Sequence, residues 1–280
     1  FRVFICLLLL KKLIMQWGLI PLIYSGKGYL VPTNAIINEF FVSFNASIIR
    51  DNIYVFLGIL ILFLLLYLFG IGKNITAFIV FILCDILQKL CPQILNGGDN
   101  FLRFLLLYMV FANSFSYLVY TDSKTSRLPD VPNFFSNLAG LSICIHLCLI
   151  YFTSAIHKIH SDLWFGGVAT YYTLSIERFN GTPLNAVLAK NALFVTLSTY
   201  LTWFVELLYP ILIWNKNLKR VMIFAAILLH LTIAITMMLY DFQLIFIVVQ
   251  GFFISNAFWI GKFQTLHYRF LNFRTAKLSQ

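Results

Sequence analysis

An uninterrupted apolar run, IYVFLGILILFLLLYLFGI (Ile53–Ile71), limits what this chain can fold into. A helix that crosses the hydrocarbon core of a bilayer needs about 20 apolar residues in succession, whereas barrel strands alternate apolar and polar residues. Hydrophobic residues make up 61% of the chain and charged residues 11%, against roughly 45–50% and about 25% in soluble domains. The sequence therefore predicts an all-α integral membrane protein.

Apolar segments of this kind recur along the chain, and turn residues or charges separate them, as in GIGKN, TDSKTSRLPDVPN and WNKNLKR. We expect a bundle of about eight transmembrane helices within residues 1–260, followed by a basic cytoplasmic tail at 261–280. The initial FRVFICLLLL is read as the start of the first span, because no small-residue cleavage site follows it. The predicted spans cover residues 3–23, 53–71, 75–94, 101–120, 138–157, 190–213, 221–240 and 242–260.

Lysine and arginine predict the orientation of these spans. Eleven of them would lie on the side that holds both termini, six on the opposite side and three inside spans, which together make up all 20. The richer side should be cytoplasmic. The net charge of +10 is therefore read as a signal of topology, and we expect no nucleic-acid partner. The basic tail should lie along the anionic inner leaflet.

All five cysteines lie in or beside predicted spans, and none forms a CxxC pair. Closely spaced Cys and His ligands mark zinc sites, and His146, between Cys144 and Cys148, points to another helix face. We expect reduced, structural thiols and no metal site.

Several ionisable residues interrupt the predicted spans. Asp85 and Lys89 are four residues apart and can pair on one helix face. Because an unpaired charge is costly in lipid, these residues either pair to fix helix register or line a polar cavity or proton path. Glu206 and His230 are candidates for such a cavity, and His230 is the strongest single one. The residues considered for these roles are Lys11, Lys12, Asp85, Lys89, His146, Glu206 and His230.

The stretch YFTSAIHKIHSDLWFGG (Tyr151–Gly167) places Lys158 between His157 and His160 at the outer end of the fifth span. Three cation-capable groups this close, if buried, would favour the neutral amine of Lys158, which is a strong general base. The alternative is a lysine that extends to the membrane surface, with interfacial histidines and Trp164 in the aromatic belt.

We expect the Lys158 amine to point into a polar cavity, with Asp99, Asp162 and Glu177 as its companions. A pair with Asp99 is favoured and would make the lysine structural; an unpaired amine would favour base chemistry. The segment Trp164–Asn185 is predicted to cover the outer face as an interfacial segment with a short helix near 167–177, or else to form an ordinary aromatic belt.

Four segments, covering about two-thirds of the chain, resemble the HTTM domain, a membrane domain shared by vitamin K-dependent gamma-glutamyl carboxylases and bacterial proteins of the SdpB (sporulation-delaying protein B) type. The resemblance implies that Lys158 is the base that acts on a reduced quinone. It also implies that His157, Trp164, Glu206 and His230 occupy positions of the family's pattern. The segments are NGGDNFLRFLLLYMVF, LIYFTSAIHKIHSDLWFGGVATYYTL, TYLTWFVELLYPILI and LLHLTIAITMMLYDFQLIFI.

The chain departs from the carboxylases in two respects. They carry a histidine near the start of the fourth span, where this sequence has Asp99 and Asn100. We also expect no large lumenal substrate domain, since about 20 residues follow the last predicted span. The resemblance thus favours the SdpB type.

That type implies a multi-pass protein of a bacterial inner membrane that assists the maturation or export of a secreted peptide. It would be surrounded by lipid and have a partner protein in the membrane, with a candidate quinone or lipid site at Lys158. Two alternatives stay open: a non-catalytic subunit of a larger membrane complex, and a quinone-dependent carboxylase or oxidoreductase. Whether the chain is an enzyme is therefore open.

Overall fold

The computed structural model describes residues 1–25, 36–38, 43–115, 132–255, 258–259 and 261, with the backbone alone for 36–38 and 43–45. This part of the chain is predominantly helical, as predicted. The exception is a short antiparallel pair of strands, β1 (Ile36–Asn38) and β2 (Ser43–Asn45), in which Ile37 lies opposite Phe44. The predicted basic tail lies outside the described residues, apart from Gly261.

Helices account for nearly all of the described secondary structure. Short 3-10 turns lie at Trp17–Leu19, Pro92–Ile94, Glu177–Phe179 and Gln250–Phe253. The α-helices are α1 Arg2–Gln16, α2 Ile20–Tyr24, α3 Ala46–Asp51, α4 Ile53–Leu68, α5 Lys73–Leu90, α6 Gly97–Phe111, α7 Asn133–Ile159, α8 Asp162–Phe165, α9 Ala169–Ser175, α10 Pro183–Ala189, α11 Ala192–Leu212, α12 Lys219–Met237 and α13 Tyr240–Val249.

Four helical segments of the described chain are long and apolar enough, by length and composition, to cross a membrane. They are Arg2–Tyr24, which joins α1 and α2, and the helices α7, α11 and α12. These segments agree with an integral membrane protein. Each of the other four predicted spans also contains a helix, but α4 and the Tyr240–Phe253 segment are shorter, and α5 and α6 do not meet the same criterion. The eight-span arrangement stays a prediction.

The chain divides into two compact units. The first comprises residues 1–143 and 239–245, and the second comprises residues 144–238 and 246–280. The predicted single bundle over residues 1–260 stays a prediction.

In the first unit, α1 packs on α4, α4 on α5, and α5 on α6. Apolar side chains such as Leu57 and Leu64 fill the space between them and are fully buried. Arg2 is buried too, and its Nη1 donates to the carbonyl of Tyr67 at 2.8 Å. The predicted pair of Asp85 with Lys89 is confirmed, with 3.3 Å between Oδ2 and Nζ. In these two places a buried polar group has a partner, which offsets the cost of removing it from water.

In the second unit, α11 packs against α12, α9 and α10. The predicted short helix near 167–177 is found as α9, and the hydroxyl oxygen of Thr199 on α11 accepts its Thr170 N–H at 3.1 Å. Gly167 precedes it with φ +73°, a conformation that glycine adopts without a steric penalty. The segment between α7 and α11 is therefore a packed part of this unit. Its position at an outer membrane face stays a prediction.

Candidate functional site

Lys158 lies in the last turn of α7 and forms an ion pair with Glu206 of α11. Its Nζ is 2.6 Å from Oε2 of Glu206, and the two side chains are 16% and 11% exposed. The same amine donates to Oγ of Ser154 at 2.6 Å and lies 4.9 Å from the ring centroid of Trp164. Three kinds of contact thus stabilise the cation, namely a carboxylate, a hydroxyl and an aromatic face.

The predicted companions of Lys158 were wrong. Asp99 belongs to the first unit, where it pairs with Lys12 and its Oδ2 accepts the N–H of Asn96 at 3.1 Å. Its carboxylate is thereby used twice, once as an ion-pair partner and once in the capping box of α6. Asp162 and Glu177, the other two predicted companions, are exposed. Glu206, which was predicted as a cavity residue, takes their place.

The structure does not assemble the predicted cluster of two histidines and a lysine. His157 is exposed, because neighbours on a helix point about 100° apart and Lys158 occupies the packed face. His160 is exposed as well, and its Nδ1 lies 2.8 Å from the carbonyl oxygen of Ile156, to which it donates. Among the predicted site residues, the structure therefore brings together Lys158, Trp164 and Glu206.

His230 is buried in a second polar cluster of the same unit. Its Nε2 lies 2.6 Å from the hydroxyl of Tyr151, and Nε2 of Gln250 donates to that hydroxyl at 3.3 Å. The hydroxyl of Tyr209 donates to Oε1 of Gln250, and its ring stacks on that of Tyr151 at 4.2 Å. The His230 ring stacks on Phe246 at 5.0 Å. The cluster thus joins α7, α11, α12 and the turn after α13.

The Tyr151 hydroxyl is the centre of this cluster, because it contacts both Nε2 of His230 and the amide of Gln250. A phenol hydroxyl can donate one hydrogen bond and accept others, so it can satisfy both neighbours.

Sequence reasoning missed Tyr151, Tyr209 and Gln250. Tyr151 precedes Lys158 by seven residues, two turns of helix, and so lies on the same face of α7. Gln250 is a single amide within the apolar stretch LIFIVVQGFF. A lone polar residue in such a stretch is the signal that could have identified it, since an unpaired amide is costly in lipid.

No family model, curated protein or solved structure matches this chain. The resemblance to the HTTM domain therefore rests on the four sequence segments alone.

The pair of Lys158 and Glu206 places an ammonium group and a carboxylate within reach of direct proton transfer, since 2.6 Å separates Nζ from Oε2. Pro210 lies within the same helix and has no N–H to donate to the backbone carbonyl of Glu206, so that carbonyl loses its usual helical hydrogen bond.

One buried donor on α11 lacks an acceptor among the described residues. It is Nε1 of Trp203, one turn before Glu206. An indole N–H donates to carbonyl and carboxylate oxygens. The described residues contain no group of three or more His, Cys, Asp or Glu side chains that could hold a metal ion.

Proposed function

We propose that this chain is a multi-pass membrane protein of the HTTM type that, like SdpB-type proteins, assists the maturation or export of a secreted peptide. About eight helices would cross a bacterial inner membrane, with both termini in the cytoplasm. A protein partner in the membrane would present or receive the peptide. The four long apolar segments support the membrane location, and the Lys/Arg distribution supports the orientation.

One observation carries the proposal: the ion pair of Lys158 and Glu206 between α7 and α11, two helices apolar enough to span a membrane. Ionisable residues within membrane helices are rare and mark substrate or proton pathways. A pair that served helix packing alone would need no additional donor, yet the buried N–H of Trp203, one turn before Glu206, has no acceptor among the residues that the structure describes. This combination favours a site at which Lys158 meets a polar group of a ligand.

A lipid-like ligand with an oxygen-bearing head, such as a quinone, fits the site best. Lys158 would hold the head oxygen in its ammonium form. Once its own proton had moved to Glu206, the neutral amine would accept a proton from the ligand, and Glu206 would keep the proton it had received. Trp203 would donate the second hydrogen bond. When bound, a reduced quinone would supply the redox chemistry, and the chain's residues would orient it and move protons.

The peptides in the growth medium test the proposed function. The medium of the native cell, of a strain without this chain, and of that strain with the chain restored should be compared by mass spectrometry. We expect at least one processed peptide to disappear on deletion and to return on restoration. An unchanged set of peptides would contradict the role in maturation or export.

A non-catalytic subunit is the second candidate, favoured by the fully paired cluster of Tyr151, Gln250 and His230. Such a subunit would tolerate Lys158→Met if the variant folds, and its deletion would remove a partner from the membrane. Organic extraction of the purified chain distinguishes a quinone-dependent enzyme from a non-catalytic subunit. Quinone that is extracted from the wild type but not from Lys158→Met favours the enzyme.

A further inference from the structure

Ser154 of α7 has the surroundings of an activated nucleophile. Its Oγ accepts a hydrogen bond from Nζ of Lys158, one helical turn later, at 2.6 Å. The same Nζ lies 2.6 Å from Oε2 of Glu206 on α11. A hydroxyl, an amine and a carboxylate are therefore connected in series, and all three residues belong to the second unit.

This series contains the groups that a serine nucleophile requires. A serine hydroxyl attacks a carbonyl group only weakly until an adjacent base within hydrogen-bond distance takes its proton. Lysine takes the place of histidine as that base in some serine hydrolases, and in some of them a glutamate beside the lysine is a second candidate for the base. Such arrangements occur on unrelated folds, so they are recognised by their geometry and not by their order in the sequence.

Lys158 does not have to be neutral at rest for this chemistry. As Ser154 attacks, its proton can pass to Lys158 while a lysine proton passes to Glu206, so that the carboxylate is the final acceptor. Both transfers follow contacts of 2.6 Å. The ion pair of Lys158 and Glu206 is therefore compatible with a basic role for the lysine.

The location of Ser154 suits a substrate that reaches the membrane surface. Its side chain is half-buried, so the hydroxyl is not sealed within the unit. The helix α7 ends at Ile159, five residues after Ser154, which corresponds to about 8 Å of helix. If α7 crosses the membrane, as the proposed arrangement requires, the hydroxyl lies just below the lipid headgroups. A peptide segment that leaves the bilayer at this end passes close to it.

A donor for the carbonyl oxygen of a substrate is present on α11. Attack by a hydroxyl places negative charge on that oxygen, and an enclosed N–H group stabilises the charge. Nε1 of Trp203 is buried and has no acceptor among the residues that the structure describes. Trp203 precedes Glu206 by three residues, so both lie on one side of α11.

We propose that Ser154 is the nucleophile of a peptidase that cleaves the secreted peptide from its precursor. Its Oγ forms a bond to the carbonyl carbon of the scissile peptide bond, and its proton moves to Lys158 as a lysine proton moves to Glu206. The C–N bond then breaks, and the amine leaves with the proton that returns through Lys158. Water hydrolyses the resulting ester by the same route and restores the hydroxyl. The reaction consumes water alone and requires no quinone.

Covalent labelling by a fluorophosphonate tests the nucleophile. The purified full chain in a mild detergent is incubated with this probe, which phosphonylates activated serines with loss of fluoride. Mass spectrometry then identifies the modified residue. We expect the wild type to carry the group on Ser154 and Ser154→Ala to remain unlabelled. The matched control is Ser175→Ala, which changes an exposed serine on α9 of the same unit and should be labelled as the wild type is.

Lys158→Arg separates the base from the ion pair. Arginine keeps a positive charge opposite Glu206 but does not release its proton. We expect labelling of Ser154 to be roughly 100-fold slower in this variant, at the lower end of what general base catalysis contributes. Equal labelling rates in Lys158→Arg and the wild type, or a wild type without label on Ser154, would overturn the proposal.

The inference rests on the proposed function, because the secreted peptide is its substrate, and the peptides in the medium keep the two failures apart. Cells with Ser154→Ala should lack the chain-dependent peptide, as the deletion strain does, whereas cells with Ser175→Ala should release it. A peptide that is lost on deletion but released by Ser154→Ala would overturn the nucleophile and leave the proposed function intact. The lack of any chain-dependent peptide would contradict the proposed function itself.

A lipid ester is the other acyl substrate that could reach a serine at this depth. The purified chain is therefore also incubated with phosphatidylglycerol vesicles. We expect the wild type to release no more fatty acid than Ser154→Ala. Release by the wild type alone would overturn the assignment to a peptide.

Discussion

Nζ of Lys158 and Oε2 of Glu206 lie 2.6 Å apart, although 48 positions separate the two residues in the sequence. The contact joins the last turn of α7 to the middle of α11, within the second unit. Both side chains are nearly enclosed, so neither charge is stabilised by bulk water. Each residue therefore depends on the other, and the helices cannot separate without leaving a charge in an apolar environment.

Replacement of Tyr151 by phenylalanine should destabilise the second unit. The change removes the hydroxyl that contacts His230 and Gln250 but keeps the ring that stacks on Tyr209. We expect a loss of about 1–3 kcal/mol in the free energy of unfolding, because buried polar groups lose their partner. Thermal unfolding in detergent measures it. Tyr171→Phe, at a ring that is 46% exposed, is the matched control and should change little. Equal melting temperatures for both variants would refute the role of the Tyr151 hydroxyl.

Substitutions of Asp99 should separate its two contacts in the first unit. Asp99→Asn keeps an oxygen that can accept the Asn96 N–H but removes the charge that faces Lys12, whereas Asp99→Ala removes both. We expect Asp99→Ala to be less stable than Asp99→Asn by about 1 kcal/mol, the usual contribution of a helix cap. Chemical unfolding followed by circular dichroism gives the order of stability of the two variants. The control Asp162→Ala, at an exposed position, should resemble the wild type. The reverse order of the two Asp99 variants would contradict the capping role.

The helices of this chain could be predicted from the sequence because their signals are local. A continuous apolar run such as Ile53–Ile71 requires burial or lipid whatever it packs against. The pairing of Asp85 with Lys89 was also local, since four residues make one helical turn. The short helix α9 could be expected from the aromatic, weakly charged segment that contains it.

The partners of Lys158 and Asp99 could not be predicted in the same way. Both pairings depend on which helices pack together, and a single sequence contains no signal for packing at this distance. We expected Asp99 near Lys158 because both were assigned to one side of the membrane and because Asp99 stands where the carboxylases have a histidine. The actual position of Asp99 does have a local signal in the sequence. Asn96 and Asp99 have the spacing of a capping box, which holds the carboxylate at the start of α6.

Gly167 should not tolerate a side chain. It has φ +73°, and a Cβ atom there would lie 3.0 Å from the ring of Tyr200, whose hydroxyl donates to the carbonyl of Phe165. We expect Gly167→Ala to lose about 1–3 kcal/mol of stability, from backbone strain together with the close contact. Gly140→Ala is the control, because a Cβ atom at Gly140 within α7 meets nothing within 4 Å and alanine favours the helix. Both are measured by thermal unfolding, and a Gly167→Ala protein as stable as Gly140→Ala would show that the turn is not constrained.

A cysteine at position 217 tests the predicted orientation. Asn217 is exposed in the connection between α11 and α12, on the side assigned to the cytoplasm. The five native cysteines are buried, so they should react slowly. We expect a membrane-impermeant maleimide to label Asn217→Cys in permeabilised cells and not in intact ones. Labelling from outside intact cells would invert the topology and place both termini outside.

Restoring stability without restoring charge is the most direct test of the functional role of the Lys158–Glu206 pair. Lys158→Met alone leaves Glu206 unpaired and should cost about 3–5 kcal/mol, whereas adding Glu206→Leu replaces the ion pair by two apolar side chains and should recover most of the loss. The measurement is the amount of the chain-dependent peptide in the medium of cells that carry the stable double variant. We predict that this peptide is absent although the protein is folded and present in the membrane. Wild-type levels of the peptide would contradict a functional role for the charges and leave the pair a structural contact.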